Sequence, residues 1–446
     1  MNWTHTLIET EWPDTGPVEP VAWADSAELT PRLERARALG YSHLLVYGDR
    51  EHYANLLWAT GFDPRFEEAL LLLPAEGTPL LLVGNECIGY LRISGLYTDG
   101  LLRGEVYPPF SLMDQPRGHG RTLREIFTAE GLGGAAKIGV VGWKDYEGPG
   151  QCDLPSYLVD LVREFAPIEN ATRAYTRLRA RATPWEIAYF EGTNAATAEA
   201  MRRMLFGLRE GLLDYQVAAQ GAYNGLPMAC HWTVKTGPSR VSLASPSGNM
   251  VRRGEYFSAN VSYWGSNCCR CGWLGFDSND APAGYVDEFA GPYVAAMAAW
   301  FEHLTLGRPG GELFDLIHRL LPFEQYGIFL NPGHLIHYDE WPGSPIYAGS
   351  TEPLTSGMII QSDIIPSSPR FSSTRMEDSY ALADAPLRTT LAERYPAVWA
   401  RMEQRREFMT GALGFHLPPE VLPLGDLCGV APPYLFEPNV LIGVTR

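Results

Sequence analysis

Two histidines three residues apart, His334 and His337, lie in LNPGHLIHYDEWPGSP beside Tyr338, Asp339 and Glu340. A polar cluster bounded by Pro and Gly is the kind of segment that lines clefts, and an imidazole there, titrating near neutrality, suits acid–base work. Two carboxylates follow. Asp363 interrupts the apolar run MIIQSDIIP, where a charge is costly to bury without a partner; its bland alternative is an acid at a strand edge, exposed to water. Glu377 stands in TRMED near Arg375 and Asp378. There it could hold a substrate ammonium or guanidinium, or act as a base if burial raises its pKa, the alternative being an ion pair with Arg375. His231, in ACHWTVKTG, is a further candidate base, with simple packing in a strand as the ordinary reading.

The run Cys268-Cys269-Arg270-Cys271 admits three readings: soft metal ligands, a nucleophile, or small residues filling space. Zinc sites favour CxxC spacing and a second ligand pair, which adjacent cysteines do not supply. A nucleophilic cysteine needs a base or a positive charge to form thiolate, a service open to Arg270 or His334. Seven cysteines, three of them this crowded, do not make a disulfide framework; they point to reduced thiols and a cytoplasmic setting.

The elements that must position these residues fall into two textures. SAELTPRLERARALG has helical spacing, YSHLLVYG and AAKIGVVGW read as buried strands, and EEALLLLPAEGTPLLLVG reads as a hairpin turning at Glu76-Gly77. With FAPIENA as its closing strand, residues 1–168 form a mixed α/β domain. From Thr172 a long helical pattern begins, with Pro184 where a helix could start, and a second helix follows in LDYQVAAQGAYNG. Strand-like HWTVKTG, EYFSANVSYWG and MIIQSDIIP alternate with helical stretches over 285–306 and 313–321. Residues 169–446 thus predict an α+β domain, a curved, largely antiparallel sheet backed by helices. The tail from Leu387 holds one more helix and a proline-rich end with no legible chemistry.

A length of 446 residues suits two domains. The net charge of −17 disfavours nucleic acid and anionic membranes as partners and favours small molecules. No apolar run reaches the eighteen or so residues of a membrane helix, and MNWTHTLIETEWPDTG lacks a secretory pattern.

Five segments together resemble the creatinase/aminopeptidase P/prolidase family. They are ANLLWATGF; TRLRARATPWEIAYFEGTNAATAEAM, with Glu186-Ile187 in place; GEYFSAN, similar to a GDxVxxD strand; SGMIIQSDIIP, similar to GMxxxxEP; and STRMEDSYALAD, similar to RxEDxxxVT. The resemblance covers most of residues 40–385 and implies a pita-bread catalytic domain preceded by a smaller α/β domain. The family's peptidases bridge two divalent metals with two aspartates, a histidine and two glutamates, because paired hard cations need several carboxylates. Carried onto this chain, the first aspartate's position holds Asn260, and the second holds Cys271, or Cys269 if the register through WGSNCCRCG shifts by two. The histidine motif survives as Gly333-His334, one glutamate has become Asp363, and Glu377 is unchanged.

Such a set does not balance two divalent ions, so the expectation is no cofactor. The alternative is one divalent ion (Zn, Mn or Fe) held by Cys271, His334, Asp363 and Glu377. Creatinase resembles this situation, with Asn at the first position and metal-free C–N hydrolysis. The histidine it uses as base would fall around Leu243 to Ser245, where none stands. The expected protein is therefore a hydrolase of a C–N bond in a small molecule, with His334, Glu377, Asp363 and His231 as catalytic candidates and Asn260, Cys271, His337 and Arg375 contacting substrate. The alternatives are a metal-dependent aminopeptidase or Xaa-Pro dipeptidase with unorthodox ligands, and a non-catalytic pita-bread binding module like that of a eukaryotic histone chaperone. The resemblance also implies a homodimer, buried across Tyr53 to Phe66 and the catalytic domain.

Overall fold

The computed structural model describes residues 3–16, 18, 21–134, 137–148, 150–237 and 243–446. Two compact units result: Ala22–Arg179, and Met1–Val21 together with Ala180–Arg446. The division differs from the one read off the sequence at both ends. The helix Thr172–Arg179 stays with the first unit because Tyr175 packs edge-on against Trp58, ring centroids 5.3 Å apart. The strand Thr4–Glu9 belongs to the second unit because it pairs antiparallel with Val440–Thr445, Thr4 facing Thr445. The proline-rich end thus supplies one strand of a separate two-stranded sheet in the second unit, which its composition does not announce.

The first unit is a six-stranded mixed sheet. His43–Gly48 sits at its centre, antiparallel to Ala69–Pro74 and parallel to Ile138–Val141. The expected hairpin forms, with Gly77 in the left-handed region at φ 92°.

In the second unit the long helix Pro184–Phe206 opens as its sequence dictates. Thr183 Oγ1 accepts from the Glu186 amide at 3.2 Å, Glu186 Oε2 accepts from the Thr183 amide at 2.7 Å, and Pro184 occupies the first turn, a capping box with its preferred proline. The helix then fixes the central hairpin Tyr256–Tyr263/Ser266–Trp273. Thr193 Oγ1 and Asn194 Nδ2 donate to the carbonyls of Trp264 and Gly265, each at 2.8 Å. Only glycine fits that turn, since φ at Gly265 is 72° and a Cβ there would lie 1.9 Å from the Phe190 ring.

The hairpin is the middle of a four-stranded antiparallel sheet ordered Arg375–Glu377, Ser266–Trp273, Tyr256–Tyr263, Thr233–Gly237. A second antiparallel sheet runs His334–Leu335, Ile359–Gln361, Ser379–Leu382, Val421–Pro423. MIIQSDIIP is a strand only as far as Gln361, and Asp363 lies beyond it. Strand alternation separates the two faces of the hairpin. Phe257, Ala259, Val261 and Cys268 join the main hydrophobic core, and the opposite set, Ser258, Asn260, Ser262, Asn267, Cys269 and Cys271, makes a polar face that is nonetheless buried. Arg270, on the core side, is neutralised there by Asp378 at 2.7 Å and caps the Leu427 carbonyl at 2.5 Å. No helix among the described residues is long and apolar enough to cross a membrane.

Candidate functional site

The hairpin's register decides which cysteine meets Asn260. The two-residue turn at Trp264-Gly265 puts Cys269 opposite Asn260, and the next strand puts Glu377 opposite Cys269. Cys271 instead pairs with Ser258 and Arg375, one step along the same face. Of the two registers open in the sequence, the shorter one forms.

Side-chain amides link this face. Asn260 Nδ2 donates to Asn267 Oδ1 at 2.5 Å and to Cys269 Sγ at 3.3 Å, and Asn267 Nδ2 donates to Glu377 Oε1 at 2.6 Å. Gln361 Nε2 reaches the Asn267 carbonyl at 2.6 Å and Glu377 Oε1 at 3.3 Å, while its Oε1 accepts from Ser379 Oγ at 2.7 Å. Cys230, just before the outer strand, places Sγ 3.9 Å from Asn260 Oδ1.

His334 enters from the second sheet, where it pairs with Gln361. Gly333 before it takes φ 119°, and a Cβ at that position would press the Gln361 carbonyl and the Trp300 ring at 3.1 Å, so glycine is required. The Nδ1–H of His334 donates to the Leu335 carbonyl at 2.8 Å, which turns Nε2 towards Glu340 Oε1 at 3.3 Å and Asp363 Oδ2 at 3.7 Å. Of the two carboxylates, Glu340 acts on the imidazole more strongly. Trp341 stacks on the imidazole, centroids 3.9 Å apart, a face that favours a cation. Burial works against the charged imidazolium, but Glu340, Asp363 and the Leu335 carbonyl outweigh it and raise the His334 pKa to about 9.

Asp363 is buried, not at a wet strand edge. Burial and the neighbouring Glu377 push its carboxyl far above the ordinary range against the pull of His334, and its Oδ1 has no hydrogen-bond partner. One ligand atom each from His334, Glu340 and Glu377 lies within 4.8 Å of the other two.

His334, Asp363, Glu377 and Asn260 are therefore brought together. His337 is not with them: its Nε2 lies 3.2 Å from Glu186 Oε1 and its ring packs on Phe190, centroids 4.9 Å apart, which makes it a link between its loop and the long helix. His231 is exposed just ahead of the outer strand. Cys268 faces the core. Burial raises the thiol pKa of Cys268, Cys269 and Cys271, which disfavours the thiolate that a nucleophile needs. Asn267, Gln361 and Cys230 are the members that inspection of the sequence did not single out. Asn267 carried one signal, its even spacing with Cys269 and Cys271, which puts all three on one face of a strand.

No protein-family model matches this sequence, and no curated protein does. Solved structures do resemble the chain. A prolidase from Thermococcus sibiricus superposes with a TM-score of 0.64 at 16% identity, over 82% of this chain and 96% of that one. An Xaa-Pro dipeptidase from Bacillus anthracis gives 0.63 at 15% identity, over 80% and 96%. The N-terminal domain of FACT complex subunit SPT16 from Cicer arietinum gives 0.57 at 12% identity, over 80% and 94%. The architecture is accordingly the pita-bread fold, an α+β domain with curved antiparallel sheets preceded by a smaller mixed α/β domain.

Proposed function

We propose that the protein hydrolyses a C–N bond of a small amide, amidine or N-acyl compound through His334, Glu377 and Asp363, aided by Glu340, and without a bridged pair of divalent ions. One observation carries the reading: Asn260 and Asn267 direct N–H donors into the face where a dinuclear centre needs carboxylate oxygens, and one such donor already occupies Glu377 Oε1 at 2.6 Å. With Cys269 a buried neutral thiol, that donor set does not suit two hard cations.

Hydrolysis on this face needs a base for water and a proton for the departing nitrogen. The Glu377 oxygen not held by Asn267 takes the proton from water as the new C–O bond forms. His334, whose Nδ1–H is committed to the Leu335 carbonyl, delivers the proton on Nε2 to the nitrogen as the C–N bond breaks. Asp363 Oδ1, unpartnered in the fold, orients the substrate.

The experiment is a hydrolysis screen of small amides, amidines and N-acyl amino acids, with metal analysis of the same preparation. The expected result is turnover that survives EDTA. Two equivalents of divalent metal, with activity lost to EDTA, would establish the metal-dependent aminopeptidase or Xaa-Pro dipeptidase alternative. A second reading rests on the 4.8 Å grouping of His334, Glu340 and Glu377, which offers donors for one ion; one equivalent of metal would select it. Absence of turnover throughout the screen would leave a binding role. We further propose that the chain works as a homodimer in the cytoplasm, both open to test by light scattering and fractionation.

A further inference from the structure

Arg375 opens the strand Arg375–Glu377 and lies opposite Cys271. Its side chain is enclosed, the residue being 7% exposed. Among the described residues its guanidinium makes no ion pair within 4.0 Å, and its Nε has no hydrogen-bond acceptor. The other deeply buried arginines of this unit are neutralised: Arg270 meets Asp378 at 2.7 Å, and Arg405 meets Glu191 at 2.7 Å and Asp426 at 2.6 Å. An enclosed cation without an anion is strongly unfavourable, so Arg375 stands out as a group prepared for a partner the fold does not supply.

The surroundings say where that partner comes from. Cys271 lies opposite Arg375 in the sheet; its thiol, the Tyr256 phenol and the Cys269 thiol are the groups coupled most strongly to the guanidinium, all held neutral by burial, with Glu377 the next and a carboxylate. The Glu377–Arg375 ion pair that TRMED suggests does not form, because Glu377 Oε1 is taken by Asn267 and Gln361. Both side chains nonetheless belong to the same face, flanking Met376 of the core, and two strand residues separate them by roughly 6–7 Å.

We propose that Arg375 anchors a carboxylate of the substrate, with the scissile C–N bond a few bonds away over Glu377 and His334. An N-acyl or N-carbamoyl amino acid has that span, and a carboxylate matches the planar fork of a guanidinium. The proposal rests on the hydrolytic reading above for the position of the C–N bond, but its test is a binding measurement.

Thermal melts and calorimetry would compare N-acetylglycine with its uncharged isostere N-acetylglycinamide at constant ionic strength. The wild type should be stabilised by the acid and not by the amide. Arg375→Met should melt at or above the wild-type temperature without ligand, since it removes an unpaired buried charge, and should bind the acid at least about tenfold more weakly, the worth of a charge-assisted pair. Arg375→Lys, which keeps the charge, should retain weakened binding and serves if the Met variant does not fold. The anchor is overturned if acid and amide act alike on the wild type, or if Arg375→Met melts well below wild type yet still responds to the acid. Acid-specific binding lost in Arg375→Met with no turnover anywhere would sink the hydrolase reading alone. Undiminished hydrolysis of acidic substrates by Arg375→Met would sink the anchor alone.

Discussion

Asn267 donates its side-chain amide to Oε1 of Glu377 at 2.6 Å, so one oxygen of the carboxylate that the family resemblance preserves is spoken for by the protein itself. The same amide extends towards Glu340 Oε1 at 3.5 Å and its carbonyl accepts from Asn260 at 2.5 Å. Neutral amides here do the work that cations would do among packed carboxylates.

A gain-of-binding experiment follows. Protein purified without chelator should carry fewer than two tightly bound divalent ions per chain by elemental analysis. Asn260→Asp combined with Cys269→Asp places two carboxylates opposite each other in the hairpin register and should raise the Mn²⁺ stoichiometry in calorimetry. The Asn260→Asp/Cys271→Asp pair, off register, should not.

For catalysis, Glu377→Gln and His334→Ala should each lower kcat by roughly two orders of magnitude or more, the usual worth of general acid–base groups. Cys271→Ser should stay near wild type, because its thiol packs beside Tyr256 and Ser373. Full turnover in the first two with a dead Cys271 variant would make the chemistry covalent and the assignment wrong.

How much of this was legible in the residues varies with the range of the information. The capping box at Thr183, Pro184 and Glu186 is local, and the helix starts where it says. His334 and Glu377 were readable because each sits in a phrase with its own chemistry. The choice between Cys269 and Cys271 was not, since it depends on a two-residue turn made obligatory by Phe190 of a distant helix. His337 looked like a site residue because its sequence neighbours are polar, whereas its true neighbour is Glu186, in the long helix. The strand Thr4–Glu9, partly exposed and paired with the other end of the chain, carries no alternation by which it could be found.

Thiol reactivity offers a test that needs no substrate. Of seven free cysteines, Cys87, Cys268, Cys269, Cys271 and Cys428 are buried, and Cys152 and Cys230 are half-buried. Titration with an aromatic disulfide should therefore register no more than two thiols in the native protein and seven in guanidinium. Rapid modification of a third would mean that the polar face opens in solution.

The first unit holds a pair whose titration can be followed directly. His52 Nδ1–H donates to Asp49 Oδ2 at 2.9 Å, and the amides of Glu51 and His52 donate to Oδ1 at 2.9 and 2.7 Å. That ring contact raises the His52 pKa above its ordinary 6.5 despite burial. Burial pushes the Asp49 carboxyl up, but the ring and the two amides together hold it below its ordinary 3.8. The His52 contribution to stability is complete below 6.5 and fades as pH climbs through the raised value. The Asp49 contribution is complete above 3.8 and fades as pH falls through the lowered one. By NMR, the His52 ring should titrate above 6.5, and Asp49→Asn should bring that midpoint down. An unmoved midpoint would show that the pair does not persist in solution.

The pairing of Thr4–Glu9 with Val440–Thr445 also sets the order in which the molecule can be made. Residues 22–179 form one uninterrupted unit, so a ribosome delivers all of it before the long helix of the other unit is complete, and it can fold as it emerges. The strand that precedes it must wait until residues 440–445 are made for its partner. Until then that strand has no partner, and the delay is the interval in which its unpaired backbone is most exposed to mispairing.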